Sequence, residues 1–342
     1  MSNFERYLAL WVALCMVLGI VLSQTVPGIS EAIDSWQING VSIPIAICLF
    51  LMMYPALLNL QMAELRKLRN DPTPIGLALF SNWIVAPLVA AGLAHLFLRD
   101  NPQLIVAVIL LGSSPCTAMV LVWGKLSDGN QEQNVINTSL NTITIMVLYV
   151  PVVSLLTGIQ DIAIDRGLLA VSAFVFIGIP LVLGLISKRT LTRAKGESWF
   201  QHTYRPIVDK VAIGALLTTL VVLFSLNGQV MLENFDQLIL VSIPLLLGFA
   251  IVVGWNLFVT KAAKLQYREA ITTVIVGSSS HFEIAIATAV AMYGVGSYAA
   301  LGTTMGLFWE VPIMLGLVFL GKVLHRRGYW TKDARQVATK AS

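Results

Sequence analysis

The sequence predicts an all-α polytopic membrane protein, and three observations lead there. Of the 342 residues, 57% are apolar and only 12% charged, about half the roughly 25% charge of an ordinary soluble domain, and the mean hydropathy is +0.80. The apolar residues fall into successive runs of about 20, the length that carries a helix across about 30 Å of hydrocarbon. The cationic residues sit in alternate hinges between those runs. A soluble enzyme is excluded, and so is a membrane barrel, whose strands alternate over about ten residues.

Ten runs follow in order. The first, 7–25, starts in MSNFERYLALWVALC, which lacks a strongly basic leader and a small-residue cleavage site, so it is expected to be a retained span and not a signal peptide. The second, 41–60, carries Cys48, which like Cys15 in the first reads as a small hydrophobe. The third, 74–98, contains Asn82. The fourth, 103–123, is interrupted by Leu111-Gly112-Ser113-Ser114-Pro115-Cys116. The fifth, 134–158, holds Asn137, Thr138, Asn141, Thr142 and Thr144, with Asn137 and Asn141 one turn apart on one face. The sixth is 167–187, and the long hinge after it, 188–210, is expected to be a basic surface segment with a short amphipathic part. The seventh and eighth, 207–227 and 237–259, are followed by the ninth, 269–292, interrupted at Val276-Gly277-Ser278-Ser279-Ser280-His281, and the tenth, 297–324, which carries Glu310. A short polar tail follows Trp330.

An even number of spans puts both ends on one side. All of the 22 Lys and Arg residues except Arg99 and Arg166 then share that side, and the positive-inside rule makes it the cytoplasm of an inner (plasma) membrane. The net charge of +4 is explained by these loops, so no nucleic-acid partner is expected. Cys15, Cys48 and Cys116 show neither paired nor zinc-type spacing. No GxxxxGK[ST] occurs, so no nucleotide site and no cofactor are expected.

The interruptions of runs four and nine echo one another, and Val150-Pro151-Val152 in run five is echoed by Val311-Pro312-Ile313 in run ten. Two similar five-helix halves follow, 1–160 and 161–330, with a tail at 331–342. Five is odd, so the second half enters the membrane in the opposite sense, the inverted-repeat plan of secondary transporters. Gly112 and Pro115 weaken the helical ladder at mid-depth, and the loosened carbonyls and amides are expected to face a central site where half-helix ends offer opposite partial charges. The alternative is that these small residues only allow close helix packing.

All eighteen carboxylates except Glu283 and Glu310 lie in hinges or near span ends. An ionised group at the bilayer centre costs at least about 2.5 kcal/mol, so each of the two must be paired, protonated or facing a wet cavity. Glu310 precedes Pro312, which frees the carbonyl of Phe308, and a carboxyl there is suited to taking and giving protons; the alternative is a structural, protonated acid. Glu283 falls at the start of a half-helix, where it either caps the helix or holds a cation. His281 is a candidate proton relay or a hydrogen-bonded neutral ring. Cys116 closes the break in run four and offers a single soft sulfur, enough for weak and reversible ligation of a thiophilic solute. The expectation is that this sulfur and a buried acid face one shared hollow.

These residues resemble the arsenite efflux permeases, a branch of the bile acid/arsenite transporter superfamily. The similarity lies in Leu51-Met52-Met53-Tyr54-Pro55, Asn82-Trp83-Ile84 through Pro87, Cys116-Thr117-Ala118-Met119-Val120-Leu121-Val122-Trp123, Phe282-Glu283-Ile284-Ala285 and Glu310-Val311-Pro312. The resemblance implies ten helices in two inverted repeats, helices four and nine broken and crossing, and export of As(III), often also Sb(III), against protons; by motif matching it sets Cys116 and Glu310 on the essential cysteine and glutamate. Three departures touch the site. Ser113-Ser114-Pro115 stands where Ala or Gly and then Arg is usual, Ser280-His281 where Asn-Asn is usual, and Gly124 where Asn is common.

The sequence therefore reads as a transporter of arsenite or a related metalloid, and not as an enzyme. Cys116 is the transient As(III) ligand, with hydrogen bonds from Ser113, Ser114, Ser278 and Asn141 and a proton cycle on Glu310 assisted by Glu283 or His281. The rival is a sodium-coupled symporter of an organic anion. A membrane enzyme using Cys116 with His281 as thiol and base lacks any evident acyl or headgroup site.

Overall fold

The computed structural model describes residues 8–26, 28, 35–38, 41–58, 72–294 and 296–330. Amide protons inside hydrocarbon can bond only to the chain's own carbonyls, and the apolar runs accordingly form helices. In chain order these are α1 Leu8–Thr25, α2 Ile43–Leu58, α3 Thr73–Phe97, α4 Pro102–Gly112, α5 Met119–Leu126, α6 Gln131–Ile159, α7 Arg166–Lys195, α8 Glu197–Glu233, α9 Phe235–Ala262, α10 Tyr267–Ser278, α11 Phe282–Tyr293 and α12 Tyr298–Arg326. A two-residue antiparallel pairing, β1 Gln37–Ile38 with β2 Val41–Ser42, precedes α2. Helix starts follow local chemistry. Asn101, Asn130, Asp165 and Ser297 each accept from an amide three residues on, capping α4, α6, α7 and α12.

Six of these helices (α3, α6, α7, α8, α9 and α12) are long and apolar enough to cross a membrane, and shorter apolar helices occur at Leu10–Thr25, Pro102–Gly112 and Phe282–Tyr293. Runs four and nine each emerge as two short helices, so neither half reaches spanning length alone. The hinge 188–210 is helical over most of its length. Its Lys, Arg, Leu and Thr residues continue α7 to Lys195, and only Gly196, with φ +86°, interrupts the helix before α8 begins. The reason is propensity, since Lys, Arg, Leu and Glu are good helix formers.

Three helices widen to π geometry at Ser81–Val85, Phe174–Gly178 and Phe200–Tyr204. Each widening ends two residues before a proline, Pro87, Pro180 or Pro206. Proline cannot donate to the carbonyl four residues back, and the preceding residue bonds five back instead.

The helices pack in two groups. Helix α8 lies along α1 and α2, with α7 also against α2; α3, α4, α6, α9, α10 and α12 pack mainly on one another, with α11 against α4 and α12. The first turns of α7 touch α6 and α11 and join the groups. Residues 1–160 and 161–330 each contribute helices to both groups.

Candidate functional site

The site begins at the two interruptions. Helix α4 stops at Gly112, with Ser113 at φ −99°, ψ 7°, and Pro115 brings no amide proton to restart it. Gly112 is required by packing, because a Cβ there would collide with the Cβ of Ala90 on α3. Helix α10 stops at Ser278, and Ser279 is extended at φ −102°, ψ 138°. The two extended stretches meet as an antiparallel bridge, Pro115 opposite Ser280. Cys116 N–H donates to the Ser279 carbonyl at 3.3 Å and His281 N–H to the Ser114 carbonyl at 2.6 Å. The Ser114 hydroxyl turns back on the Leu111 carbonyl at 3.0 Å, with the His281 carbonyl at 3.3 Å. The expectation that the loosened backbone faces a solute is corrected here, since much of it is satisfied across the crossing. Mutual pairing is the physically cheaper outcome, as an unpaired amide in hydrocarbon costs several kcal/mol.

Long neighbouring helices pin each break with an asparagine. Asn141 on α6 donates to the Cys116 carbonyl at 3.0 Å and accepts from Asn82 at 3.2 Å, on the π turn of α3. Asn256 on α9 places its amide nitrogen 2.9 Å from the Gly277 carbonyl and 3.0 Å from the Ser278 hydroxyl. The Ser81 hydroxyl joins it, also donating to the Gly277 carbonyl at 2.9 Å.

The two intramembrane acids are both buried, 3% exposed for Glu283 and 2% for Glu310, and they are held differently. Glu310 accepts at one oxygen from the Ser279 hydroxyl at 2.7 Å and the Ser280 amide at 3.0 Å, and at the other from the Ser280 hydroxyl. Glu283 stands in the first turn of α11, with one oxygen 2.8 Å from His281 Nδ1 and the other without a hydrogen-bond partner among the described residues. Cys116 is 1% exposed, and its backbone amide donates to the Ser279 carbonyl. One serine therefore joins Cys116, through its carbonyl, to the Glu310 carboxylate, through its hydroxyl. Ser113 and Asn137 are buried, with side-chain polar atoms unpartnered among the described residues.

On one side of the crossing lies a pocket of about 610 Å3, its open mouth included. Its walls are apolar, from α3, α4, α9 and Gly306 of α12, and its polar floor is Asn82, Ser114 and Ser278–Ser280. Of the sequence-predicted residues only Ser114 and Ser278 line it. Cys116, Glu310, Glu283, His281, Ser113 and Asn141 do not. Sulfur and acid share Ser279 instead of a common hollow.

The profile of the sodium bile acid symporter family matches residues 46–234. The chain belongs to that family. It is 36% identical to the uncharacterized transporter slr0944 of Synechocystis over 99% of this chain and 93% of that protein. The arsenical-resistance proteins Acr3 of Alkaliphilus metalliredigens and Corynebacterium glutamicum are 33% and 30% identical, over 96% and 93% of this chain and 94% and 88% of theirs. The expected kinship with arsenical permeases thus holds, and the chain is a multi-pass membrane transporter, not an enzyme. Sequence reasoning missed Ser279, Ser280, Asn256 and Ser81 as the groups that tie the site together. A lone Asn in an otherwise apolar run was the available signal for Asn256, since polar groups in a bilayer bond across helices.

Proposed function

We propose that the protein exports trivalent arsenic, arsenite and also antimonite, from the cytoplasm across the inner membrane in exchange for protons. The observation that carries this reading is the buried line from Cys116, whose amide donates to the Ser279 carbonyl, to Glu310, which accepts from the Ser279 hydroxyl, at the crossing of two broken helices, in a chain whose full-length relatives include Acr3 arsenical-resistance proteins. As(OH)3 is largely neutral at physiological pH, so it needs hydroxyl partners and a soft sulfur more than a countercharge. Ligation exchanges one As–OH for an As–S bond, and the thiol proton leaves with that hydroxide as water. A single sulfur releases the solute again by the reverse step. Ser114 and Ser278 supply hydrogen bonds from the pocket, and Ser113 and Asn141 from the covered side of the crossing.

Protons are carried by the buried acids: Glu310, whose hydrogen bonds to Ser279 and Ser280 must be exchanged for a proton, and Glu283, whose free oxygen and neighbour His281 make it the assisting group. The architecture is ten membrane helices in two inverted repeats, 1–160 and 161–330, with both termini and the tail 331–342 in the cytoplasm. This is supported by the paired breaks and by the cationic hinges. Access alternates as the group containing α1, α2, α7 and α8 rocks against the other.

The test is arsenite accumulation by everted vesicles under an imposed proton or sodium gradient. Accumulation driven by the proton gradient and lost in Cys116→Ser and in Glu310→Gln is the expected result. A sodium requirement with both variants active would replace this reading by the sodium-coupled organic-anion symporter.

A further inference from the structure

The pocket is more apolar than arsenite needs. Most of its wall is Ala, Val, Leu, Pro and Phe side chains, including Val89, Val108, Leu245, Phe249 and Val252, while a small neutral hydroxide such as As(OH)3 gains little by leaving water for an apolar wall. The floor has a definite polarity. Ser279 and Ser280 spend their hydroxyl protons on Glu310, and Ser114 spends its own on the Leu111 carbonyl. A serine hydroxyl has one proton and two lone pairs, so these three oxygens turn only acceptors toward the pocket. Among the described residues no Lys, Arg or His lines it. Ser278, which accepts from Asn256, and Asn82, which gives one N–H to Asn141, each keep a proton for a solute. A floor of neutral acceptors and donors without a cation suits a neutral O–H-bearing head and rejects an oxyanion, which would be stripped of water with no countercharge.

We infer that this pocket takes neutral trivalent organoarsenicals, R–As(OH)2, with the As–OH groups donating to Ser114, Ser279 and Ser280 and the organic group lying against α3 and α9. The inference rests on the proposed arsenical function and adds a substrate class to it. Gly248 on α9 supplies the handle. It lines the pocket, and a Cβ added there meets nothing closer than Leu93 Cδ1 at 3.7 Å, so alanine is accommodated without a clash and valine adds bulk at the wall beside the organic group.

The experiment measures proton-driven accumulation of arsenite and phenylarsenite in everted vesicles by wild type, Gly248→Ala and Gly248→Val, with benzoate and phenylarsonate as anionic competitors. Wild type is expected to accumulate both arsenicals, with neither anion competing. The ratio of phenylarsenite to arsenite transport should fall stepwise through Ala to Val, by about tenfold at Val, the scale of a methylene or two misplaced in an apolar pocket. Arsenite transport with no phenylarsenite transport, an unchanged ratio in both variants, or competition by the anions overturns the inference and leaves arsenite export standing. Transport of neither arsenical overturns the function itself. Vesicle content of each variant, measured by immunoblot, normalises the rates, and Gly248→Ala keeps the ratio readable if the valine variant fails to insert.

Discussion

At the scale of single residues, the site is governed by where hydroxyl protons go. The Ser279 hydroxyl donates to Glu310 and its carbonyl accepts from the Cys116 amide, so Ser279→Ala removes the donor to the acid and leaves one carboxylate oxygen with the Ser280 amide alone. Removing a partner from a buried acid costs about 1–3 kcal/mol. The expected outcome is a lower melting temperature in detergent together with slower arsenite transport, whereas Ser279→Thr, which keeps the hydroxyl, recovers most of both. Asn256→Ala removes the amide nitrogen that lies between Gly277, Ser278 and Ser81, and a stability loss of similar size, about 1–3 kcal/mol, is expected in the same melting assay. Gly124 finds its explanation at this scale. A Cβ at that position would collide with the amide of Asn134, which itself donates to the Val120 carbonyl at 2.8 Å. Pro115 puts no cationic side chain next to Cys116 along the chain.

At the scale of elements, proline position decides helix form. The π turn at Ser81–Val85 carries both Ser81 and Asn82 to the crossing. In Pro87→Ala the carbonyl of Trp83 regains an amide donor, so α3 is expected to tighten toward regular α geometry and rotate Asn82 away from Asn141. Transport should fall while the melting temperature holds or rises, a split that a simple folding defect does not produce. Gly196 has φ +86° and ψ 157°, a region other residues enter at a cost of about 1–3 kcal/mol. Gly196→Ala is therefore expected to lower the melting temperature although the added Cβ meets no atom within 4 Å. This junction shows what the sequence left open about the hinge 188–210. Its charges marked it as lying outside hydrocarbon, but charge sets location and not backbone form, and helix-forming residues there stay helical.

For the whole molecule, the cationic hinges predict the placement of both ends. A fluorescent protein fused after Ser342 is expected to fluoresce in intact bacterial cells and alkaline phosphatase at the same point to be inactive; the opposite pair of results would reverse the topology. The two packing groups interleave helices from both sequence halves, so the proposed rocking would move parts of each half against one another.

The sequence by itself determined that the chain is helical and membrane-embedded, that its runs four and nine are interrupted, and that Cys116, Glu283 and Glu310 are its unusual buried groups. Apolar run length, proline and the cost of charge in lipid are local properties that need no knowledge of neighbours. Only the tertiary structure decided that the two interruptions satisfy each other, that Ser279 and Ser280 hold Glu310, and that the thiol lies behind the pocket floor. Those outcomes depend on which helices meet and at what rotation, and a hydroxyl with one proton to give can be assigned a role only when its acceptor is in place.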